Sequence, residues 1–395
     1  MSSLSVSRQT YNLLKPNPRL SLFSAPSLYL TRGAISGLPP ALDLNRKRAR
    51  QHSSCRNLLI LPRQSYYIPD LRRPLLPPQR RHRAFSSSSS RAMAEPPTSL
   101  TDAVIAAMRT LFPEELADRA WDNTGLLLGQ APRPSTSETD DDEASGTVLL
   151  TNDLTSAVVD EALAEGAKMI ICYHPVIFRP LKSLTTQDPM QTSLLRLAAA
   201  RVSVYCPHTA VDAASGGLND WLCDILLDGE PQVQRTVVQP ISRPLPQGCE
   251  GCGYGRVVEL ARPVSLRALL KRLSAGLGGQ RYMMIAIPSS CRDGTGMRQI
   301  SKVAVCAGSG SDVLKDTDAQ VLVTGEMAHH YALRHTELGQ IVVTVFHSNS
   351  ERKYLETRLK PMLEVELETT RYGNTRVVVS TEDCDPYEVV DVEEL

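Results

Sequence analysis

From residue 99 onward the apolar positions of the chain switch repeatedly between a helical and a strand-like spacing. In SLTDAVIAAMRTLFPEEL (99–116) they recur on one helical face behind a Ser or Thr cap, which predicts an amphipathic helix. WDNTGLLLGQ (121–130) predicts a turn and a short strand. Residues 131–145, rich in Pro, Ser and Asp, would bury almost nothing and read as a solvated loop. Alternation follows: GTVLLTNDL (146–154), KMIICYHP (168–175) and VSVYCPHTAVD (202–212) predict strands, while TSAVVDEALAEGA (155–167), MQTSLLRLAAA (190–200) and GGLNDWLCDILL (216–227) predict helices. Strands that are apolar throughout are buried on both faces, so parallel pairing beneath two helical layers is expected.

Residues 228–252, rich in Pro, Gln and Gly, mark a candidate boundary. A second alternating segment follows. It contains the strands GRVVELARP (255–263), RYMMIAIP (281–288), KVAVCAG (302–308), AQVLVTGE (319–326) and the run 341–346, with helices at 265–278, near 311–316, at 327–339 and after residue 350. TRVVVSTEDCDPYEVV (375–390) predicts a last strand and an acidic tail. The expected fold class is α/β, with mainly parallel or mixed sheets flanked by helices. The expected domains are 97–235 and 250–395, the C-terminal part of the second packing back on the first.

Composition changes the picture before residue 93. Residues 1–92 hold sixteen Lys plus Arg against only Asp43 and Asp70, and no Glu precedes Glu95; the remainder holds 27 basic and 41 acidic residues, so the zero net charge is an average of two opposite parts. The basic arm, with RKRAR (46–50) and SSSSSR (86–91), has the character of a transit peptide, which points to mitochondria. A disordered tail, initiation at Met93 giving a cytoplasmic form, and a nuclear signal in RKRAR are the alternatives. The acidic body argues against direct nucleic-acid binding, and no run of eighteen apolar residues predicts a membrane span. Nine scattered cysteines suit a reducing compartment, and CxxC at Cys249 and Cys252 has no second pair at zinc-site spacing.

Titratable residues then fall into a pattern. His174, His208, Glu326 and His347 each close a predicted strand, and Asp212 and Glu351 each follow a histidine by four residues. Carboxyl ends of parallel strands share one edge of a sheet, so these groups can converge there. Each has a plainer reading: His174 as a core histidine, Asp212 as a helix cap, Glu351 as a partner of a helix dipole. His329 and His330 fall on one helix, where one would face solvent and the other approach the site, and His335 reads as a partner of that helix's C-terminus. Together they nominate His174, Asp212, His347 and Glu351 as metal ligands. Imidazoles mixed with carboxylates suit Zn, Fe, Mn, Co or Ni, and a bridging Glu351 would let two divalent ions share one site. His208 or Glu326 would carry a proton. The loop GSGSD (308–312) is either a phosphate cradle or a plain turn.

The stretches CYHPVIFRPLKSL, HTAVDAASGGLNDWL, VAVCAGSGSD, VLVTGEMAHHYAL and HSNSERKYL closely resemble the Nif-three-like proteins, also labelled GTP cyclohydrolase 1 type 2 homologues. The resemblance covers about 100–388 and excludes the arm. It implies two linked α/β domains around a cleft, a dinuclear metal site in that cleft with the same four ligands, and a homo-oligomer, in many members a hexamer. Bacterial members carry two consecutive histidines where this chain has Tyr173 and His174, which implies one tight ion and one weaker. The implied functions are a metal-dependent hydrolase, cyclohydrolase- or phosphohydrolase-like, acting on a nucleotide-like or phosphorylated small molecule; a regulatory module with a transcription-related protein partner and a structural metal; or a metal-handling protein.

Overall fold

Apolar strands of this kind hold their hydrogen bonds within a sheet and their side chains beneath helices, and the computed structural model has that organisation. It describes residues 97–131, 145–291 and 299–394. The chain divides into two units, Met1–Ser88 and Ser89–Leu395. The basic arm, most of the 131–145 loop and residues 292–298 lie outside the described residues.

The first sheet contains β1 (Gly125–Leu128), β2 (Thr147–Thr151), β3 (Ala167–Cys172), β4 (Ser203–Cys206) and β11 (Arg376–Val379) in the order β1-β4-β3-β2-β11. β1 is antiparallel and the others are parallel. The last strand thus closes a sheet begun more than two hundred residues earlier. The second sheet contains β5 (Gln232–Pro240), β6 (Gly253–Ser265), β7 (Met284–Ala286), β8 (Gln299–Ser309), β9 (Val321–Glu326) and β10 (Ile341–Thr344), ordered β5-β6-β8-β9-β10-β7, with a parallel β8-β9-β10 centre. The fold is α/β with two mixed sheets. β5 is an unforeseen strand. Its pattern is exposed and polar because it is an edge, paired among the described residues with β6 alone.

Period-two alternation assigns side chains to faces. In the first sheet Val148, Leu150, Met169, Ile171 and Tyr205 enter one core, while Leu149, Ile170, Cys172 and Val204 enter another under α2 (Ser156–Ala164) and α3 (Pro189–Ala199). The first of these cores is continuous with Val303, Val305, Val321, Val323, Ile341 and Val343 of the second sheet. Both sheets therefore share one hydrophobic interior. Helices α1 (Leu100–Leu111), α5 (Leu218–Leu227), α6 (Leu266–Gly276) and α10 (Lys360–Glu368) contribute to it. Ser99 caps α1 by accepting from Asp102 N at 3.1 Å, a contact worth about 1 kcal/mol. No described helix is long and apolar enough to cross a membrane.

Between β4 and α5 the expected strand over 202–212 stops early. Pro207 has no N–H for a ladder, His208 takes φ +30°, and α4 (Thr209–Ala213) begins at once. Asp212 accordingly lies on a short helix. A buried arginine then ties the second sheet to this region. Arg256 of β6 donates Nε to Asp220 Oδ1 at 2.9 Å and Nη2 to the carbonyls of Ala213 and Ala214 at 3.3 and 2.9 Å. Asn219 makes a second tie, donating to Asp212 O at 3.0 Å and accepting from Ala307 N at 2.9 Å.

Candidate metal centre

The carboxyl ends of β2, β3 and β4 meet those of β8, β9 and β10. Beyond β3 the ladder continues, Tyr173 N donating to Thr151 O and His174 N to Asn152 O, which fixes where His174 emerges. Beyond β10, Val345 N donates to Thr324 O, and Phe346 at φ +67° turns the chain so that His347 faces back. Strained non-glycine residues of this kind cluster at sites that need a particular side-chain placement. Glu351 lies one turn on, just before α9 (Arg352–Tyr354), with its side chain 2% exposed.

His174 and His347 approach one carboxylate symmetrically. His174 Nε2 is 3.4 Å from Glu351 Oε2, and His347 Nε2 is 3.4 Å from Glu351 Oε1. One donor atom from each residue lies within 4.8 Å of the others, so a single ion can take all three. Each Nδ1 is engaged by a further carboxylate: His174 by Asp153 Oδ1 at 2.9 Å and His347 by Glu326 Oε1 at 2.5 Å. Carboxylates only accept, so Nδ1 carries a proton; Nε2 also faces a carboxylate, and it would present its lone pair once an ion takes the place of its own proton, the arrangement that orients metal-binding histidines. His174 Nε2 is buried with no hydrogen-bond partner. Two imidazole nitrogens, a carboxylate and that orphaned donor fit a divalent transition metal.

Charge favours a cation here. Burial alone would lower the His174 imidazole, but Glu351 and Asp153 push it up to about 10. Burial would raise Glu351, yet the His174 charge, His347 and a 3.0 Å bond from Asn152 Nδ2 hold it below its ordinary value. Asp153, which burial would raise, is lowered by its bond from His174.

Of the sequence-nominated residues, His174, His347 and Glu351 come together. Asp212 stands beside them and outside that triad, its Oδ1 accepting from Tyr173 Oη at 2.6 Å. Burial pushes Asp212 up to about 6, and burial with the Asp212 charge raises the Tyr173 hydroxyl well above its ordinary range, so this proton is firmly held. His208 packs edge-on to His174 with ring centroids 5.4 Å apart, and its Nδ1 meets Asp122 Oδ1 at 2.7 Å. Glu326 orients His347. His329 and His330 are both exposed, neither at the centre, and His335 is a core histidine bonded to Gln340 Oε1 at 2.7 Å.

The GSGSD loop has two of its five amides turned inward rather than free to cradle a phosphate. Gly308 N donates to Ser350 Oγ at 2.8 Å and Gly310 N to Thr324 Oγ1 at 3.0 Å, so those amides are spent. Gly308 serves space instead. At φ +61°, a Cβ there would sit 2.7 Å from Glu351 Oε1 and 3.1 Å from His347 Nε2. Gly308→Ala is expected to displace both side chains and to lower metal content at least about tenfold, as loss of ligand orientation does, with only a modest fall in melting temperature. Metal analysis alongside thermal unfolding checks this, and unchanged metal content would contradict it.

Sequence reading missed Asn152, Asp153, Asp122 and Asp383. The first two close β2 in TNDL, where the rule that nominated the histidines would have found them. Asp383 carries no local signal. It arrives from the C-terminal segment, accepting from Asn152 N at 2.7 Å and facing Arg352 Nε at 3.3 Å.

The family model for Duf34/NIF3 (NGG1p interacting factor 3) matches residues 100–386. Protein NIF3 homolog of Schizosaccharomyces pombe is 40% identical over 280 residues, 71% of this chain and 94% of that protein. NGG1-interacting factor 3 of Saccharomyces cerevisiae is 38% identical over 293 residues, 73% and 96% of the two chains. Among solved structures, the Bacillus cereus protein related to NIF3 superposes with a TM-score of 0.60 at 20% identity, covering 73% of this chain and 98% of that one. That likeness concerns the fold.

Proposed function

The chain belongs to the Duf34/NIF3 family, and from that premise we propose that it is a metal-dependent hydrolase acting on a nucleotide-like or phosphorylated small molecule. The observation that carries this reading is the pair of imidazole Nε2 atoms converging on the buried Glu351 carboxylate, each ring held from behind by a carboxylate. His174, His347 and Glu351 would hold the ion, which supplies Lewis acidity and an acidified water. Asp153 and Glu326 position the two rings. His208 is the proton carrier: Asp122 is held ionised against the effect of burial by its bonds from His208 and Thr209, so it keeps the proton on His208 Nδ1 and leaves Nε2 to accept or return one at the substrate.

Tyr173 bears on the number of ions. A second ion on Asp212 would have Oδ2 alone unless it displaced the Tyr173 proton from Oδ1. The expected result is one equivalent retained after mild chelation and a second lost, with Tyr173→His retaining more. Two ions retained with equal affinity would contradict it.

Purified chain loaded with its ion, assayed against phosphomonoesters, cyclic nucleotides and nucleoside triphosphates, should show turnover that stops on chelation and returns when the ion is restored. Absence of turnover across that panel would favour a second reading, a protein-interaction module in which the ion is structural. The name of the Saccharomyces relative, NGG1-interacting factor 3, supports that alternative. Homo-oligomerisation and import directed by the basic arm belong to the same proposal.

A further inference from the structure

The geometry points to Trp121 and Phe178 as the specificity-determining wall of this site, a fixed apolar notch that takes a planar ring of the substrate while its phosphorylated end reaches the metal centre. This rests on the metal-dependent reading above. Both rings are large and half in solvent, 51% and 49% exposed, although burial is the ordinary fate of such side chains. Their centroids are 5.9 Å apart with the planes inclined at 46°. At 5.9 Å the two rings touch, so a third ring cannot lie between them and would stack on the exposed face of one beside the other.

The Trp121 ring is pinned, and the loop that carries Phe178 is anchored beside it. The Trp121 indole N–H donates to Asp118 Oδ2 at 3.0 Å, and Asp118 N donates to Thr209 Oγ1 at 2.9 Å, which ties the tryptophan to the residue after His208. Phe178 lies in the loop after His174, and Asn123 Nδ2 donates to Ile177 O at 2.5 Å, joining that loop to the Trp121 turn. A ring pinned by its own hydrogen bond, beside a loop anchored at its backbone, has less freedom to lose on binding a ligand.

The wall is also continuous with the metal ligands. Trp121 meets His208 edge-on at 5.7 Å, His208 meets His174 at 5.4 Å, and His174 meets His347 at 5.2 Å. A ring seated on Trp121 therefore has the candidate proton carrier beside it and the ligand pair one ring further on, the reach of a nucleoside-sized molecule. The exposed valines of the C-terminal tail, Val389, Val390 and Val392, have no such alignment.

The test uses the full chain loaded with its ion and three probes: adenosine 5′-monophosphate and uridine 5′-monophosphate, which carry a ring, and ribose 5-phosphate, which does not. Calorimetry should find both ring-bearing probes at least about tenfold tighter than ribose 5-phosphate, the usual size of one base–aromatic stack. Trp121→Leu and Phe178→Leu should each remove most of that advantage while leaving ribose 5-phosphate affinity and metal content unchanged. Equal affinity for all three probes, no binding of any, or variants that leave the ring-bearing probes unaffected would overturn the inference. So would a change of oligomeric state in either variant, which would make the wall a protein interface. Metal content measured on the same samples separates the two levels: a chain that takes up no ion defeats the metal-centre reading, whereas a loaded chain without ring preference defeats only this inference.

Discussion

Replacing Glu351 with alanine is expected to abolish stoichiometric metal binding. Glu351 is the residue of the triad whose carboxylate faces both histidine Nε2 atoms, so its removal takes away the shared ligand. Loss of one outer-sphere carboxylate costs metal affinity about 10–100-fold, and loss of the shared ligand itself must exceed that. Folding should weaken less. Asn152 Nδ2 would lose its acceptor at 3.0 Å and keep Asp153 Oδ2 at 3.4 Å, so the cost should not exceed the roughly 1–3 kcal/mol of a stranded buried donor. Metal analysis of the purified variant, with its melting curve, checks both statements. A folded Glu351→Ala protein that still carried its ion would remove the triad from consideration, whereas one that lost the ion and kept a protein partner would favour the interaction module over the hydrolase.

The largest effect on stability is expected from Asp220→Ala. Asp220 accepts from Arg256 Nε at 2.9 Å and Nη2 at 3.2 Å and also pairs with Arg235 at 3.2 Å. The Arg256 side chain is 4% exposed and reaches four backbone carbonyls besides. Removing the carboxylate leaves that guanidinium buried and unneutralised, which costs about 3–5 kcal/mol, a fall in melting temperature on the order of 10 °C. Because Arg256 also holds the carbonyls that end α4, Asp212 should shift with it. The double variant Asp220→Leu with Arg256→Met should recover part of the loss, because the buried charge goes with its partner while the carbonyls that Arg256 served lose their donor. Equal instability of the single and double variants would show that packing, not charge pairing, holds this junction.

Much of the molecule was legible beforehand because the relevant signals are local. Runs such as TVLLT and IVVT announce doubly covered strands, and Ser99 and Thr155 stand where caps are needed. Histidines at strand ends could be nominated because parallel sheets gather their carboxyl ends. β5 escaped since an edge strand buries little and its composition resembles a loop. The strand expected over 202–212 was too long because apolar spacing alone does not register that Pro207 and the positive φ of His208 turn the chain into α4.

The site divides in the same way. Residue type and a position at or just after a strand end nominated His174, His347 and Glu351, and the fold brings these three together. Partnership was not legible in that way. Whether Asp212 joins that triad or accepts a proton from Tyr173, whether Glu326 carries a proton or steers His347, and whether Gly308 cradles an anion or makes room for Glu351 depend on contacts between residues tens of positions apart. Asp383 reaches Asn152 across 231 positions through a strand that returns to the first sheet. Local composition dictates which segments bury and which side chains can bind, because those are properties of each residue and its near neighbours. Distances of 3 Å between remote groups follow only when packing of the whole interior closes the chain on itself.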